Sequence, residues 1–202
     1  MIRNLIFDVG NVLLGFRTME MLQKHGMSPD RIEQMVRGVF SDPLWARLDL
    51  GIDPFSDVVE LFCRNLPELR SDIHWLIQNS EQMKVDRPDV WERVHLLGKK
   101  GHKLYILSNY AEPFYNKQFR DAPFMAWMEG AVISCQVHLI KPDQAIYRYL
   151  LKTYGLDPGE CLFFDDLQPN IETAEKLGFE TFHVTSKETL IRKLDSLLAE
   201  QN

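Results

Sequence analysis

The stretch Leu5-Ile6-Phe7-Asp8-Val9-Gly10-Asn11-Val12-Leu13 decides how this chain is read. Leu5 to Phe7 is an apolar run of strand character. It stops at a carboxylate, and Gly10 and Asn11 follow at once. Both residue types tolerate positive φ and let the backbone turn sharply. The stretch therefore presents one aspartate at the carboxyl end of a buried strand, held over a tight loop. In an open α/β sheet, ligands bind at that place. Aspartate also begins ordinary turns, so the reading depends on what the rest of the chain sets beside Asp8.

Working outward, helix signals follow one another from about Arg17 to Gln82 with no strand pattern between them. Met19 and Leu22 lead to a stop at Gly26. Ser28-Pro29 and Asp53-Pro54 read as capped helix starts. Phe55, Val58, Val59 and Phe62 share one helical face, and Ser71 or Asp72 begins a further helix. Met19, Met35, Trp45 and Trp75 fall at helical spacing and read as core of this unit. Residues 17–86 are thus expected to form a helical cap inserted after the first strand. Residues 1–16 and 87–202 are expected to form the main domain. There, strands near 103–107, 131–134, 161–164 and 179–184 alternate with helices. That alternation predicts an α/β fold, a Rossmann-like, doubly wound parallel sheet with right-handed crossovers. Apolar strands such as Leu104-Tyr105-Ile106-Leu107 fit a sheet covered on both faces.

The chain of 202 residues has room for such a domain and one insertion. Its net charge of −6 is spread along the sequence and gives no nucleic-acid footprint. Cys63, Cys135 and Cys161 are odd in number and far apart, which matches neither a disulfide framework nor a zinc site. They fit a reducing compartment. The amino-terminal segment does not read as a signal peptide, and no apolar run nears the roughly 18 residues of a membrane span. The expected location is cytoplasmic. The histidines show no metal-ligand spacing.

On this frame the polar residues gather at strand ends. The first strand ends in Asp8 and the second in Ser108-Asn109. Lys141-Pro142 follows the third, and the fourth runs into Asp165-Asp166 with Asn170 behind. A parallel sheet brings all of these to one edge. Two carboxylates about 4 Å apart repel by roughly 4 kcal/mol at an effective dielectric of 20. A divalent cation removes that cost, and hard oxygen ligands favour Mg²⁺ with open positions for a substrate phosphate. Phosphoryl transfer needs positioning, neutralised oxygens and a nucleophile, for which Asp8 is the candidate.

In order and content, these four stretches resemble the haloacid dehalogenase superfamily over nearly the whole chain. The similarity is greatest to the subgroup of bacterial α-D-glucose-1-phosphate phosphatase and the phosphatase domain of soluble epoxide hydrolase. The resemblance implies a Mg²⁺-dependent phosphatase of a small phosphorylated metabolite, such as a sugar phosphate. Asp8 would be nucleophile and metal ligand, with the Gly10 carbonyl and Asp166 completing the protein ligands. Asp165 and Asn170 would orient them from behind. Ser108 and the Asn109 amide would hold phosphoryl oxygens, and Lys141 would balance charge. One position departs from the pattern. Superfamily phosphatases usually carry a second aspartate two residues after the nucleophile as general acid, and here that position is Gly10. Asp49, His74 or a water are the candidate substitutes. Two other readings follow from the same gap: a metal-independent 2-haloacid dehalogenase, and a catalytically impaired protein that binds a phosphorylated ligand.

Overall fold

In the computed structural model, which describes residues 1–200, the apolar run becomes β1 (Asn4–Phe7) at the centre of a five-stranded sheet. A short strand, β2 (Leu14–Phe16), leads into five helices. These are α1 (Thr18–Lys24), α2 (Pro29–Met35), α3 (Pro43–Leu50), α4 (Phe55–Asn65) and α5 (Arg70–Gln78). The chain returns through β3 (Lys84–Asp86) and α6 (Pro88–Lys99). Then come β4 (Lys103–Ser108), α7 (Glu112–Gln118), β5 (Gly130–Ile133) and the single turn α8 (Ser134–Val137). It closes with α9 (Gln144–Tyr154), β6 (Cys161–Asp165), α10 (Gln168–Lys176), β7 (Glu180–His183) and α11 (Lys187–Ala199).

The sheet order is β5-β4-β1-β6-β7, and every pairing in it is parallel. Alternation along the strands supplies both layers. Leu5, Phe7, Leu104, Ile106, Leu162 and Phe164 pack with α6 and α11, through Val90, Val94, Leu97, Leu190 and Leu194. Ile6, Tyr105, Leu107 and Phe163 pack on the other face with Ile146, Tyr147, Ile171 and Ala174 of α9 and α10. Each fully buried Leu, Ile or Phe here contributes about 1.5–3 kcal/mol relative to exposure. The result is the α/β, doubly wound parallel sheet that the strand pattern predicts.

Register sets the site. Phe7 stands opposite Ile106 on one side and Phe164 on the other. One residue further, Asp8 is level with Leu107, next to the last residue of β4, and with Asp165. The turn after it is made by Asn11, at φ 53, while Gly10 keeps an ordinary φ.

Several local expectations changed. β2 and β3 form an antiparallel ribbon at the base of the helical segment, unmarked in the sequence pattern. Ser28 caps α2, accepting the Arg31 N–H, but Asp53 does not cap α4. Its carboxylate is drawn instead to Arg47 at 2.8 Å, and Pro54 holds the cap position with no side-chain bond. Asp72 lies inside α5 and pairs with Arg31 and His25. Met35 is buried, whereas Met19 is 49 % exposed and not core. Among the described residues no helix is long and apolar enough to cross a membrane.

Candidate active site

Asp8 is 8 % exposed, and its two carboxylate oxygens are treated differently. Oδ1 accepts the Val9 N–H at 2.7 Å and the Ser108 hydroxyl at 2.6 Å, and Lys141 Nζ lies 3.1 Å away. Oδ2 has no protein donor among the described residues. Asp8 lines a cavity of about 450 Å³ at the carboxyl edge of the sheet.

Lys141 is 3 % exposed and spends its ammonium on three oxygens. Besides Asp8 it donates to the Leu107 carbonyl at 2.9 Å and to Asp165 Oδ2 at 2.6 Å. Asp165 is fully buried and also accepts the Leu167 N–H at 2.8 Å and the Asn170 amide at 2.9 Å. Its oxygens are committed to the protein. Asp166, its neighbour, faces the cavity and accepts the Asn11 amide at 2.9 Å. Gly10, Asn109 and Asn170 share that lining. Ligand oxygens of Asp8, Asp165 and Asp166 lie within 4.8 Å of one another.

Ser108 and Lys141 are placed behind Asp8, not in the cavity wall; Ser108 is given to the Asp8 carboxylate, and Lys141 is shared between it and Asp165. The Asn109 side chain closes a reciprocal pair with the Lys141 backbone, donating to its carbonyl and accepting its N–H at 2.9 Å each. That pair ties the β4 and β5 loops together. It leaves the Asn109 backbone N–H without a protein partner, as no hydrogen bond of that group occurs among the described residues.

Burial raises the pKa of Asp8 against the attraction of Lys141, and the Asp165 and Asp166 charges raise it further. Burial likewise raises Asp166, against the Asn11 hydrogen bond. Burial opposes the charge on Lys141, but Asp165 and Asp8 outweigh it and hold its pKa above the ordinary lysine value. Charge has been packed here at a cost, which is the mark of a functional cluster more than of a stabilising one.

Three supports escaped the sequence pattern. Arg87 donates to the Asn11 carbonyl at 2.6 Å, Trp91 Nε1 to the Leu13 carbonyl at 2.6 Å, and His183 Nε2 lies 3.0 Å from the Asp166 carbonyl. Together they pin the loops that carry Asp8 and Asp166. No local signal marks them, because each bond spans distant parts of the chain.

The helical segment supplies the opposite wall, with Phe40, Trp45, Asp49 and Met83, while Phe114 closes one side from α7. Trp45 stacks on Phe114 with ring centroids 5.6 Å apart. Of the two candidate substitutes for the missing acid, Asp49 is in this wall and His74 is not. His74 is exposed on α5, 3.7 Å from Cys63 Sγ.

Residues 2–178 match the haloacid dehalogenase-like hydrolase family. The chain is 28% identical to mouse acyl-CoA dehydrogenase family member 10 over 97% of its own length and 19% of that protein. It is 27% identical to mouse bifunctional epoxide hydrolase 2 over 84% of itself and 31% of the relative. It thus spans between about a fifth and a third of those proteins. With D-ribitol-5-phosphate phosphatase of Bacteroides thetaiotaomicron it shares 27% identity over 90% of this chain and 91% of the other. Among solved structures, a HAD-like hydrolase from Porphyromonas gingivalis superposes with TM-score 0.76 at 24% identity, covering both chains fully. A HAD-family enzyme of B. thetaiotaomicron, in complex with magnesium and inorganic phosphate, gives 0.72 at 21% identity, covering 93% of this chain and 96% of the other. A dehalogenase gives 0.76 at 18%, over 99% and 98%. At these identities the structural matches speak to fold alone.

Proposed function

The chain belongs to the haloacid dehalogenase-like hydrolases, and from that premise we propose that it is a Mg²⁺-dependent phosphatase of small phosphorylated metabolites, acting through an aspartyl-phosphate on Asp8. One observation carries this reading. Three donors hold Asp8 Oδ1 from behind, and Oδ2 is left bare toward the cavity. A carboxylate so held is aimed, and its free oxygen is the nucleophile.

The donor set fits magnesium. Three carboxylates face one ammonium in the cluster, and two of them, Asp8 and Asp166, line the cavity, where Asp8 Oδ2 has no protein donor among the described residues. Asp8, Asp166 and the Gly10 carbonyl would hold the ion, with Asp165 and Asn170 fixing the loop behind them. When bound, Mg²⁺ supplies neutralisation of the phosphate oxygens beside the nucleophile. Ser108 and Lys141 orient Asp8, and Lys141 also offsets the charge that accumulates there. The Asn109 backbone N–H is the donor for a phosphoryl oxygen, whereas the Ser108 hydroxyl, expected to share that task, is committed to Asp8 Oδ1. Residues 17–86 act as the cap that closes the cavity against water. The three cysteines, all buried and free, fit a cytoplasmic setting.

The lining narrows the substrate. No Lys, Arg or His side chain is among it, while Phe16, Phe40, Trp45 and Phe114 are. A leaving group with a second anionic group would find no cation there. An uncharged cyclic alcohol, such as a sugar, would find aromatic faces to stack on. The same absence argues against the 2-haloacid dehalogenase reading, whose substrate brings its own carboxylate.

A phosphate-release screen over phosphorylated sugars and acids, run with Mg²⁺, with EDTA and with Asp8→Asn, tests this proposal. Release from neutral sugar phosphates that both EDTA and the substitution abolish is expected. Release that Asp8→Asn leaves intact would defeat it.

A further inference from the structure

We propose that Asp49, from the end of α3, performs the proton transfers for which position 10 has no side chain. The inference rests on the phosphatase reading above and assigns the step that reading leaves open. Elimination gives the first argument. The cavity is lined by three carboxylates, Asp8, Asp49 and Asp166, and by no histidine, lysine, arginine, cysteine or glutamate. Asp8 is the nucleophile and Asp166 belongs to the metal side. Tyr110 also lines the cavity, but its hydroxyl is buried and donated to Gln118 Oε1 at 2.5 Å. Asp49 is what remains.

The second argument is rigidity. A general acid must keep its distance from the nucleophile, and a residue on a mobile cap would not. The end of α3 is fastened to the core instead. The Asp49 carbonyl accepts the Ser134 hydroxyl at 2.5 Å, and the Ser134 hydroxyl oxygen in turn accepts the Tyr110 N–H at 2.9 Å. His138 Nδ1 lies 3.1 Å from the Leu50 carbonyl. Gly51, at φ 66, lies so close to the Cys135 backbone that a Cβ there would come within 2.9 Å. Asp49 is therefore a cap residue held against Tyr110 and α8, the segments that follow β4 and β5. Burial pushes its carboxyl up to about 7, with the Ala111 N–H pulling the other way, so both forms are within reach near neutrality.

The chemistry balances. In the first step Asp8 Oδ2 bonds to phosphorus, the ester P–O bond breaks, and the Asp49 proton goes to the departing alkoxide. In the second, the Asp49 carboxylate takes a proton from water as the water oxygen bonds to phosphorus. The bond to Asp8 breaks, inorganic phosphate leaves, and both carboxyls return to their starting states.

The test compares 4-nitrophenyl phosphate with 2-phenylethyl phosphate on the wild type, Asp49→Asn and Asp49→Ser. The two esters present similar rings, but only the alkyl one needs its leaving group protonated. The value of kcat/KM reports formation of the phosphoenzyme. In both variants it should fall by about 10²-fold or more on the alkyl ester and by less than about tenfold on the aryl one. A burst of nitrophenolate should accompany the aryl reaction, because the second step has lost its base. Equal losses on the two esters, or no loss on either, would overturn the assignment of Asp49. A wild type inert on both would instead defeat the phosphatase reading itself.

Discussion

Asp8 and Asp72 are each 8 % exposed, yet their surroundings differ in kind. Asp72 has a partner for each oxygen, His25 on Oδ1 at 3.4 Å and Arg31 on Oδ2. It staples the end of α1 and α2 to α5, and nothing is left over. At Asp8 three donors crowd onto one oxygen and the other is bare. Burial alone therefore does not mark a reactive carboxylate. The asymmetry of its donors does. The same test disposes of the other ligand-like cluster, Glu60, Cys63 and His74. Glu60 spends both oxygens on Arg70, at 3.0 and 2.7 Å, and offers nothing further.

The comparison can be broken from either side. Asp8→Asn should lower phosphate release by more than about 10³-fold, as expected when a nucleophile is removed, with thermal stability unchanged or raised. Lys141→Met should cost about 3–5 kcal/mol in urea unfolding, because it leaves buried carboxylates without their partner. Saturating Mg²⁺ should stabilise the wild type by about 2.7 kcal/mol at a hundredfold excess over Kd. Asp166→Asn should lose that gain in thermal melts and Asp72→Asn should keep it. Asp72→Asn itself should cost about 1–3 kcal/mol of stability while kcat/KM stays within about twofold of wild type.

A pH dependence is a further expected effect. The Asp49 carboxyl is raised from 3.8 to about 7 in the fold. A raised acid favours the folded state fully below its unfolded pKa, and that contribution is lost as pH rises through the folded value. Wild type should lose stability relative to Asp49→Asn between about pH 4 and pH 7. Parallel melting curves for the two proteins across that range would contradict the shift.

Much of this is legible in the sequence. The inner strands β1, β4 and β6 are largely apolar runs that lead into a polar residue, and the parallel arrangement follows from the helices between the strands. Asp8, Asn109, Asp166 and Asn170 therefore fell to one sheet edge by topology alone. The ribbon of β2 and β3 stayed hidden because three-residue strands containing Gly15, or Lys84 and Asp86, carry no readable periodicity. The choice between Asp49 and His74 was also closed to sequence. It depends on where α3 docks, through contacts to Ser134, Cys135 and His138 that lie more than eighty residues away. Asp53 shows the opposite failure. Its cap signal was real, but Arg47 outbid the backbone for the carboxylate.

The central claim is that the bare oxygen of Asp8 takes the phosphoryl group. Rapid acid quench of the enzyme with Mg²⁺ and 4-nitrophenyl phosphate, followed by tandem mass spectrometry, tests it directly. The phosphoryl group should be found on Asp8, and on no residue of Asp8→Asn. A phosphoryl group on any other side chain, or turnover by Asp8→Asn with no covalent species at all, would contradict the account.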